Sequence, residues 1–399
     1  MKTKLGVIFG GVSVEHEISI ISAVQAMNAI NEEKYEIIPI YITKDRIWYT
    51  GKMLMDIDIY KDFNDLKRFA TKVTMYKKDN GFYLQSMGFF KRTVAELDVV
   101  FPIVHGANVE DGTLAGYLDT VGIPYVGSRV LGSALGQDKV VMKQVFESCN
   151  LPIVPYTWFY DNEYLGETEE ITKKIKNLGF PVIVKPATLG SSVGITVVKD
   201  IKNLDDAIMD AITYDNKIVV EKMVENLVEV NCSVLGDYEY QQTSVLEEVM
   251  SADEFLTYKD KYLGNGKKTG ASKGMASTSR IVPARLTKEM TDEVQKISKE
   301  AFKVLNLGGI CRIDFLIDKK ENKVYINEPN TIPGSLAFYL WEPSGKKYSE
   351  LLDEAITIAI KDYKNRSKKT YSFDTNVLAN FGGVKGSKGM KGVKGGKLK

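Results

Sequence analysis

The sequence predicts an α/β protein of more than one lobe, with a parallel sheet in its N-terminal part. The chain has 399 residues, which is too long for one ordinary hydrophobic core, so two or three lobes are expected. In the first third of the chain, strand-like apolar runs alternate with stretches of helical spacing. Strands that alternate with helices form parallel sheets through crossover connections.

The N-terminal unit is predicted over residues 1–127. Its first strand, Leu5–Phe9, follows the N-terminal Met1 almost directly and lacks a cleavage-like region, so it does not indicate a signal peptide. A glycine pair then predicts a turn, because glycine tolerates the backbone angles that tight turns need. The remaining predicted elements are a helix over Glu17–Ile30, a strand over Tyr35–Ile42, a buried strand over Asp98–Val104, a helix over Gly112–Val121 and a short strand over Pro124–Val126.

Two further units follow, at residues 128–224 and 225–375. The first is predicted to contain a helix over Asp138–Ser148 and strands over Pro181–Lys185 and Gly194–Val198, joined by a Gly/Ser loop. The second is predicted to contain strands around Glu229–Leu235, Arg312–Ile317 and Val324–Asn327, and a helix over Ser349–Tyr363.

Two segments have the composition of irregular structure. Gly264–Ser279 is rich in glycine, lysine and serine, which predicts a mobile loop. Residues 376–399 include a Gly/Lys repeat that cannot bury enough apolar area to fold, so they are predicted to form a solvated, disordered tail.

Composition excludes several classes of protein. A net charge of +1 argues against nucleic acid as a partner. The longest apolar runs are strand-sized, which argues against a membrane span. The three cysteines, Cys149, Cys232 and Cys311, lie far apart and fit a reducing cytoplasm. With only two histidines, a histidine-based metal site is not expected.

A glycine pair follows the first strand and leads into the first helix. The segment Gly10-Gly11-Val-Ser-Val-Glu15-His-Glu17 would let the backbone approach a ligand, and the helix N-terminus favours an anion. A dinucleotide-binding G-x-G-x-x-G pattern is absent. The two carboxylates, Glu15 and Glu17, either compensate the helix dipole or hold the ammonium group of a substrate.

A lysine at the end of a predicted strand precedes a loop of small residues. The segment Lys185-Pro-Ala-Thr-Leu-Gly190-Ser-Ser-Val-Gly194 places a point charge beside backbone N–H donors, which is typical of phosphate binding. The pattern is not a Walker A loop, because Gly-Lys-Ser/Thr does not occur in the required order.

The most specific pattern combines an arginine, two carboxylates and an amide near two strand ends. Asp314 lies two residues after Arg312, and Glu328 lies two residues before Asn330. Side chains two apart on a strand share a face. Two carboxylates and an amide oxygen suit Mg²⁺, which also binds substrate phosphates. Arg312, always charged, suits a developing oxyanion or a carboxylate.

These segments, in this order, resemble those of the D-alanine–D-alanine ligases, which belong to the ATP-grasp superfamily. The stretches from Phe101 to Gly112 and from Val219 to Lys222 resemble the family as well, and the likeness covers residues 4–363. The resemblance implies a three-lobed ATP-grasp architecture that holds ATP between the second and third lobes. It implies that ATP phosphorylates one D-alanine and that the amine of a second D-alanine then displaces the phosphate. The product would serve peptidoglycan precursor synthesis.

The resemblance also implies roles for particular residues. Lys139 and Lys185 would hold ATP phosphates, Glu221 would read the adenine amino group and Glu229 the ribose hydroxyls, and Lys222 and Ser192 would also contribute to the nucleotide site. Asp314, Glu328 and Asn330 would hold a pair of Mg²⁺ ions, for which Mn²⁺ can substitute. Arg312 and the N–H of Gly334 would stabilise the oxyanion, and Glu17 would bind the first substrate's ammonium, with His105 nearby. Ser191 and Tyr262 would close the site, and Lys261 would reach the γ-phosphate. It further implies a cytoplasmic homodimer without nucleic-acid or membrane partners.

The chain departs from the family pattern at three places. Val109 stands where the family usually has glycine, and the segment Gly264–Ser279 is longer and richer in glycine than usual. Tyr339 occupies the position at which the family commonly has a serine that holds the second substrate's carboxylate.

Two alternative functions stay open at this point. A sister ligase would make D-alanyl-D-serine or D-alanyl-D-lactate. Tyr262 favours an amine nucleophile, because relatives that form the ester product tend to lack this tyrosine. A catalytically inactive nucleotide-binding protein is the other alternative, and the intact set Lys185, Arg312, Asp314, Glu328 and Asn330 argues against it.

Overall fold

A seven-stranded mixed sheet organises the N-terminal part of this computed structural model, which describes residues 2–190, 193–250 and 279–372. The strands are β1 (Thr3–Gly10), β2 (Tyr35–Ile42), β3 (Trp48–Thr50), β4 (Thr71–Lys78), β5 (Gly81–Ser86), β6 (Thr93–Leu97) and β7 (Val99–Val104). Their spatial order is β6-β5-β4-β3-β2-β1-β7. The predicted parallel pairing is confirmed for β1 with β2 and β7, whereas β3 to β6, which continue from β2 as an antiparallel meander, were not predicted. The short strand predicted at Pro124–Val126 is reduced to one bridge between Tyr125 and Val100.

Helices cover both faces of this sheet. They are α1 (His16–Ala29), α2 (Phe63–Phe69) and α3 (Thr113–Val121), with short 3-10 segments at Lys52–Met55 and Ile57–Lys61. On one face, α1 packs together with residues from the far end of the chain, including the fully buried Trp341. Leu114 and Leu118 of α3 pack on the other face. The N-terminal sheet therefore shares its core with the C-terminal part of the chain.

A four-stranded antiparallel sheet forms the central part, in the order β10-β9-β11-β8. Its elements are α4 (Val130–Gln137), α5 (Lys139–Ser148), β8 (Tyr156–Tyr160), α6 (Asp161–Gly166), α7 (Thr168–Leu178), β9 (Val182–Pro186), β10 (Thr196–Val198), a 3-10 turn at Ile201–Asn203, α8 (Leu204–Ile212) and β11 (Lys217–Lys222). Asp138 caps α5 by accepting hydrogen bonds from two backbone N–H groups at 2.9 and 3.1 Å. This cap fixes where the helix begins and so where Lys139 is placed.

A five-stranded antiparallel sheet forms the C-terminal part, in the order β14-β13-β12-β15-β16. Its elements are β12 (Leu227–Gly236), β13 (Gln241–Met250), β14 (Ser279–Ile281), α9 (Lys288–Val304), β15 (Gly309–Asp318), β16 (Lys323–Asn330), 3-10 segments at Gly334–Leu340 and Glu342–Ser344, and α10 (Tyr348–Ser367). The chain divides after Tyr363 into a first unit and a second unit that begins at Lys364. No helix in the described part of the chain is long and apolar enough to cross a membrane.

The pairing of β15 with β16 places the polar residues predicted at these strand ends. Arg312 lies opposite Asn330, and Asp314 lies opposite Glu328. The register shifts immediately beyond Asp314, where Phe315 pairs with Ile326. Such a bulge re-aims side chains and is common beside functional sites. All four polar residues consequently lie next to one another on two neighbouring strands.

Candidate active site

One cavity is lined by residues of the central and C-terminal sheets, together with helix α1 and loops of the N-terminal part. The predicted site residues that line it are His105, Lys139, Lys185, Glu229, Arg312, Asp314, Glu328, Asn330 and Gly334. The structure does not bring Glu17, Glu221 or Lys222 to the cavity wall. Ser191, Ser192, Lys261, Tyr262 and residues 264–278 of the predicted loop lie outside the described residues.

Along the paired strands β12 and β15, the side chains that line the cavity change in character from one end to the other. At one end, Glu229 lies opposite Leu316, and Leu227 is two residues further along the same face. Moving inward, Asn231 lies opposite Asp314, followed by Arg312. The apolar wall is completed by a set of aliphatic side chains, Ile183, Ile195, Val224 and Leu316. The cavity therefore runs from an apolar end, suited to a flat ring, to a charged end.

Two lysines reach the cavity from the central part of the chain. Lys139, at the start of α5, lies 3.2 Å from the Glu328 carboxylate and donates to the carbonyl of Leu189 at 2.6 Å. Lys185, near the end of β9, lies 2.6 Å from Glu221. Both side chains are largely buried. Two ammonium groups facing one cavity form a ready anion site.

A third lysine, Lys143, lies behind this pair and was not predicted. It follows Lys139 by one turn of α5, a spacing that puts both on one face of the helix, and this spacing was the available signal. Its fully buried ammonium lies 3.0 Å from Glu221 Oε1, while Lys185 holds Oε2. Burial alone would raise the pKa of Glu221, but the two lysines outweigh it and lower that pKa to about 2. Glu221 is thus sequestered between two cations, and its side chain is not presented to a ligand.

Lys222 also points away from the cavity. Its ammonium donates to the carbonyl groups of Gly179 and Phe180, each at 3.1 Å. The side chain of Lys222, predicted to bind the cofactor, therefore does not face the cavity.

Arg312 and Asp314 form a bidentate ion pair. The guanidinium donates to both carboxylate oxygens, at 2.7 and 2.8 Å, and Asn330 donates to Asp314 Oδ2 at 3.0 Å. Burial would lower the pKa of Arg312, but the Asp314 charge raises it well above its usual range. The carboxylates, amide and arginine expected from the sequence are therefore brought together, with the arginine already occupied by Asp314.

Glu15, rather than Glu17, faces the cavity. A Cβ placed on Gly106 or on Gly190 would come within 3.0 or 3.7 Å of Glu15 Oε2, so this carboxylate lies against both loops. Glu17 is mostly exposed and forms an ion pair with Lys44 at 2.6 Å. Of the two glutamates, only Glu15 reaches the cavity, so the structure does not place Glu17 where the sequence led us to expect it.

The glycine turn before this helix explains a departure from the family pattern. Gly11 has a φ of +94°, and a Cβ there would lie 2.5 Å from the side chain of Val109. Val109 is itself buried. The valine thus fills space beside a residue that has no side chain, and it supports the turn.

His105 is buried at the cavity wall with both ring nitrogens occupied. Nδ1 lies 2.7 Å from the carbonyl oxygen of Ile332, which can only accept, so Nδ1 carries the proton. Nε2 then accepts from the Ser22 hydroxyl at 2.9 Å, and that oxygen accepts from the N–H of Ser335 at 2.9 Å. Burial lowers the pKa of His105 and favours this neutral form. The two hydrogen bonds of His105 therefore connect the loop after β7 to helix α1 and to the segment after β16.

The backbone next to Gly334 is strained. Ser335, Leu336 and Ala337 have φ values of 51°, 52° and 50°, in the left-handed region. Side chains destabilise that conformation by about 1–2 kcal/mol per residue, and such strain is found where surrounding contacts enforce it. Here Ser335 is held through its N–H and through a hydroxyl bond of 2.7 Å to Gln25. The turn brings Gly334 to the cavity wall.

Glu110 is buried beside Glu15 and the Thr331–Ile332 backbone. It accepts hydrogen bonds from the N–H of Gly106 and of Ile332, both at 2.9 Å. Burial and the negative charge of Glu15 outweigh these bonds and raise the pKa of Glu110 to about 7. This carboxyl group links the N-terminal loop to the end of β16.

A second charged cluster lies at the far end of the cavity and was not predicted, apart from Tyr339. Glu247 Oε2 accepts from the Tyr339 hydroxyl and from Asn231, each at 3.0 Å. Arg280 lies 3.4 Å from Glu247 Oε1, and its guanidinium stacks over the Tyr339 ring at 4.4 Å. The phenol that replaces the family's serine thus donates its one hydrogen bond to Glu247.

Comparison with known proteins gives consistent matches over nearly the whole chain. Residues 4–128 match the model of the D-ala D-ala ligase N-terminus, and residues 145–357 match that of the C-terminus. The D-alanine–D-alanine ligase of Thermosipho melanesiensis is 41% identical over 376 residues, which cover 94% of this chain and 98% of that protein.

Solved structures show the same fold. The D-alanine–D-alanine ligase of Coxiella burnetii has a TM-score of 0.78 and 29% identity, covering 92% of this chain and 96% of that one. A D-Ala:D-Ser ligase from Enterococcus faecalis has a TM-score of 0.75 and 29% identity, covering 90% and 100%. The ligase of Bacillus anthracis, solved with ATP, has a TM-score of 0.64 and 25% identity, covering 91% and 99%.

Replacing Lys143 with methionine tests the buried triad. The substitution removes one of the two cations beside Glu221, while Lys185 still pairs with that carboxylate, so we expect the free energy of unfolding to fall by about 1.5–3 kcal/mol, the range for a lost interaction with a charged group. Calorimetry or urea denaturation would measure the loss. Lys174→Met, which breaks an exposed ion pair with Glu170, should cost no more than about 0.5 kcal/mol. If the losses in free energy of unfolding of Lys143→Met and Glu221→Gln simply add in the double variant, the two side chains do not interact as the structure indicates.

The raised pKa of Glu110 predicts a pH dependence of stability. The folded protein keeps a proton that an unfolded glutamate, with a pKa of about 4.3, releases. The free energy of unfolding should therefore decrease between about pH 4.3 and pH 7, with the full contribution present below that range and lost above it. Glu110→Gln removes this component, on the order of 3 kcal/mol. Denaturation at about pH 5 and about pH 8 would measure it, and an identical pH slope in both proteins would show that Glu110 does not titrate there.

Proposed function

We propose that this chain, which belongs to the D-alanine–D-alanine ligase family, joins two D-alanine molecules in an ATP-dependent reaction that forms ADP and phosphate. One observation carries the proposal. A single cavity has an apolar end, two lysines beside it, and Arg312 with the carboxylates at the other end. The dipeptide would enter peptidoglycan precursor synthesis in the cytoplasm, where ATP is available, and the homodimer remains a prediction.

ATP is the substrate that fits the first half of the cavity. The aliphatic wall accepts a planar base, and Glu229, on the same strand face as Leu227, can accept from ribose hydroxyls. Lys139 and Lys185 would then lie at the phosphates. Each is now paired with a carboxylate, so a phosphate would compete with Glu328 and Glu221 for them. Because Lys143 stays on Glu221, Lys185 can turn towards a phosphate without leaving that buried carboxylate alone.

A divalent cation fits the carboxylate side. Asp314 and Glu328 face each other across two strands, with the amide of Asn330 beside them. No group of three or more histidine, cysteine, aspartate or glutamate side chains gathers in the described ranges. A pair of carboxylates with an amide nonetheless suits Mg²⁺ or Mn²⁺, because Mg²⁺ is commonly held by one or two carboxylates together with substrate phosphates. When bound, the metal neutralises charge on the phosphates.

The bond changes are those of an acyl phosphate route. A carboxylate oxygen of the first D-alanine attacks the γ-phosphorus, and ADP leaves. The amine of the second D-alanine, having lost a proton, attacks the acyl carbon, and the tetrahedral intermediate expels phosphate. Glu15 would hold the first ammonium group at the cavity wall. Arg312 and the N–H of Gly334 would stabilise the oxyanion of the tetrahedral intermediate and of the transition states beside it, a charge that the bound substrates lack at that atom.

The second substrate is the open part of the proposal. A D-Ala:D-Ser ligase is among the similar structures, and a product with D-serine or D-lactate is the alternative. The bulk of Tyr339 supports a small acceptor such as D-alanine.

Purified protein given ATP, a divalent cation and D-alanine tests the function directly. We expect phosphate release together with D-alanyl-D-alanine detected by mass spectrometry, and neither product with L-alanine. D-Serine and D-lactate should be added in competition with D-alanine. The proposal is wrong if no dipeptide forms, and the sister-ligase alternative replaces it if D-serine or D-lactate is used in preference.

Two glutamates of the first loop and helix give a matched pair of variants. Glu15→Gln removes the carboxylate proposed to hold the substrate ammonium, so kcat/KM for D-alanine should fall by about 10–100-fold, as expected for a lost hydrogen bond to a charged group. Glu17→Gln changes an exposed ion pair and should leave kcat/KM within about twofold. Steady-state kinetics of both variants would measure this, and the opposite order would restore Glu17 to the role.

A further inference from the structure

Two neighbouring glutamates on β13 each bind an arginine, on opposite sides of the sheet. Glu247 lies 3.4 Å from Arg280, and Glu248 lies 2.5 Å from Arg285. Successive residues of a strand point to opposite faces. Glu247 and Arg280 line the cavity, whereas Glu248 and Arg285 do not. The chain thus contains two similar ion pairs, of which only one faces the candidate active site.

The carboxylate of Glu247 is held by two hydrogen-bond donors and one ion pair. Its side chain is only 4% exposed. One oxygen accepts from the Tyr339 hydroxyl and from the Asn231 amide, and the other faces Nη1 of Arg280. A buried carboxylate held in this way is fixed in place. It also orients the arginine beside it.

Arg280 has a second support in the Tyr339 ring. The guanidinium carbon lies 4.4 Å from the ring centroid, a distance at which a cation is attracted to an aromatic face. About a fifth of the Arg280 side chain, 21%, remains exposed, at the cavity wall. This contact restrains the guanidinium, whose planar fork of N–H donors matches a carboxylate. The cavity wall therefore presents an oriented arginine at its charged end.

The other cations of the cavity have different partners. Among the described residues that line it, the basic side chains with a permanent charge are Lys139, Lys185, Arg280 and Arg312. Arg312 donates from two nitrogens to Asp314. Lys139 and Lys185 lie beside Glu328 and Glu221, on the proposed nucleotide side. Arg280 is the remaining cation of the wall, and its guanidinium lies beside Glu247 and the Tyr339 ring.

We propose that Arg280, positioned by Glu247 and by the Tyr339 ring, binds the carboxylate of the acceptor amino acid. This inference rests on the proposed function. It accounts for the tyrosine at position 339, which contributes a platform for the arginine while its hydroxyl is turned to Glu247. Arg280 selects an acceptor with a free carboxylate and does not distinguish an amine from a hydroxyl nucleophile.

Competition between two acceptors tests the role. D-Alanine and D-alaninamide carry the same amine, and only D-alanine carries a carboxylate. With ATP and a fixed D-alanine concentration, mass spectrometry of the two products gives the ratio of their kcat/KM values. The wild-type protein should strongly favour D-alanyl-D-alanine. Arg280→Ala should lower this preference by about 10–100-fold, the range for losing a hydrogen bond to a charged group, and Arg280→Lys should retain part of it.

The matched control is Arg285→Ala, which removes the equivalent pair on the opposite face and should leave the preference unchanged.

Hydroxylamine provides a readout that needs no acceptor carboxylate, because it captures the acyl phosphate as D-alanine hydroxamate. Arg280→Ala should form hydroxamate at a rate within about twofold of the wild-type rate, since the first half-reaction does not use the acceptor site.

Three results would overturn the inference. An unchanged acceptor preference in Arg280→Ala, with hydroxamate still formed, would show that the carboxylate binds elsewhere. A parallel loss of hydroxamate and of both ligation products, at unchanged preference, would show that Arg280 only supports the fold. If the wild-type protein forms no hydroxamate from ATP and D-alanine, the proposed function fails and the acceptor site fails with it.

Discussion

The need to neutralise buried charge governs this cavity. A charge taken out of water is stable only beside a partner. Each permanent cation among the described lining residues has a carboxylate beside it, and the pairs are Lys139 with Glu328, Lys185 with Glu221, Arg280 with Glu247 and Arg312 with Asp314. An anionic ligand therefore enters by exchanging one ion pair for another. Lys143 and Asn231 remain on two of these carboxylates during such an exchange.

The sequence predicted most of this cavity, because its residues follow strand ends and small-residue loops. Arg312 and Asp314, and likewise Glu328 and Asn330, are two residues apart, a spacing that indicates a shared strand face, and the structure places all four in the cavity lining together with Lys185. The first strands and the first helix were predictable from apolar periodicity. The meander β3 to β6 was not, because short antiparallel strands at a sheet edge carry weak periodicity and polar residues.

The choice between Glu15 and Glu17 shows where sequence reasoning ends. Residues two apart near a helix start point about 200° apart around the axis, so only one of them can face the cavity. Nothing local determines which one. Arg280 and Glu247 pose a different problem, since they come from strands that become neighbours only in the folded sheet. A tertiary contact of this kind leaves no pattern in a single sequence.

The hydrogen-bonded path from His105 through Ser22 to Ser335 has a consequence for how the protein is made. Ser22 and Ser335 are 313 positions apart in the chain. Contacts between distant positions form late, and synthesis proceeds from the N-terminus at about 5–20 residues per second. The first helix is therefore synthesised long before the left-handed turn that contains Ser335. It forms its hydrogen bond with that turn only near the end of translation. The N-terminal part can form its sheet early, but the wall beside Gly334 is assembled only as the end of the chain emerges.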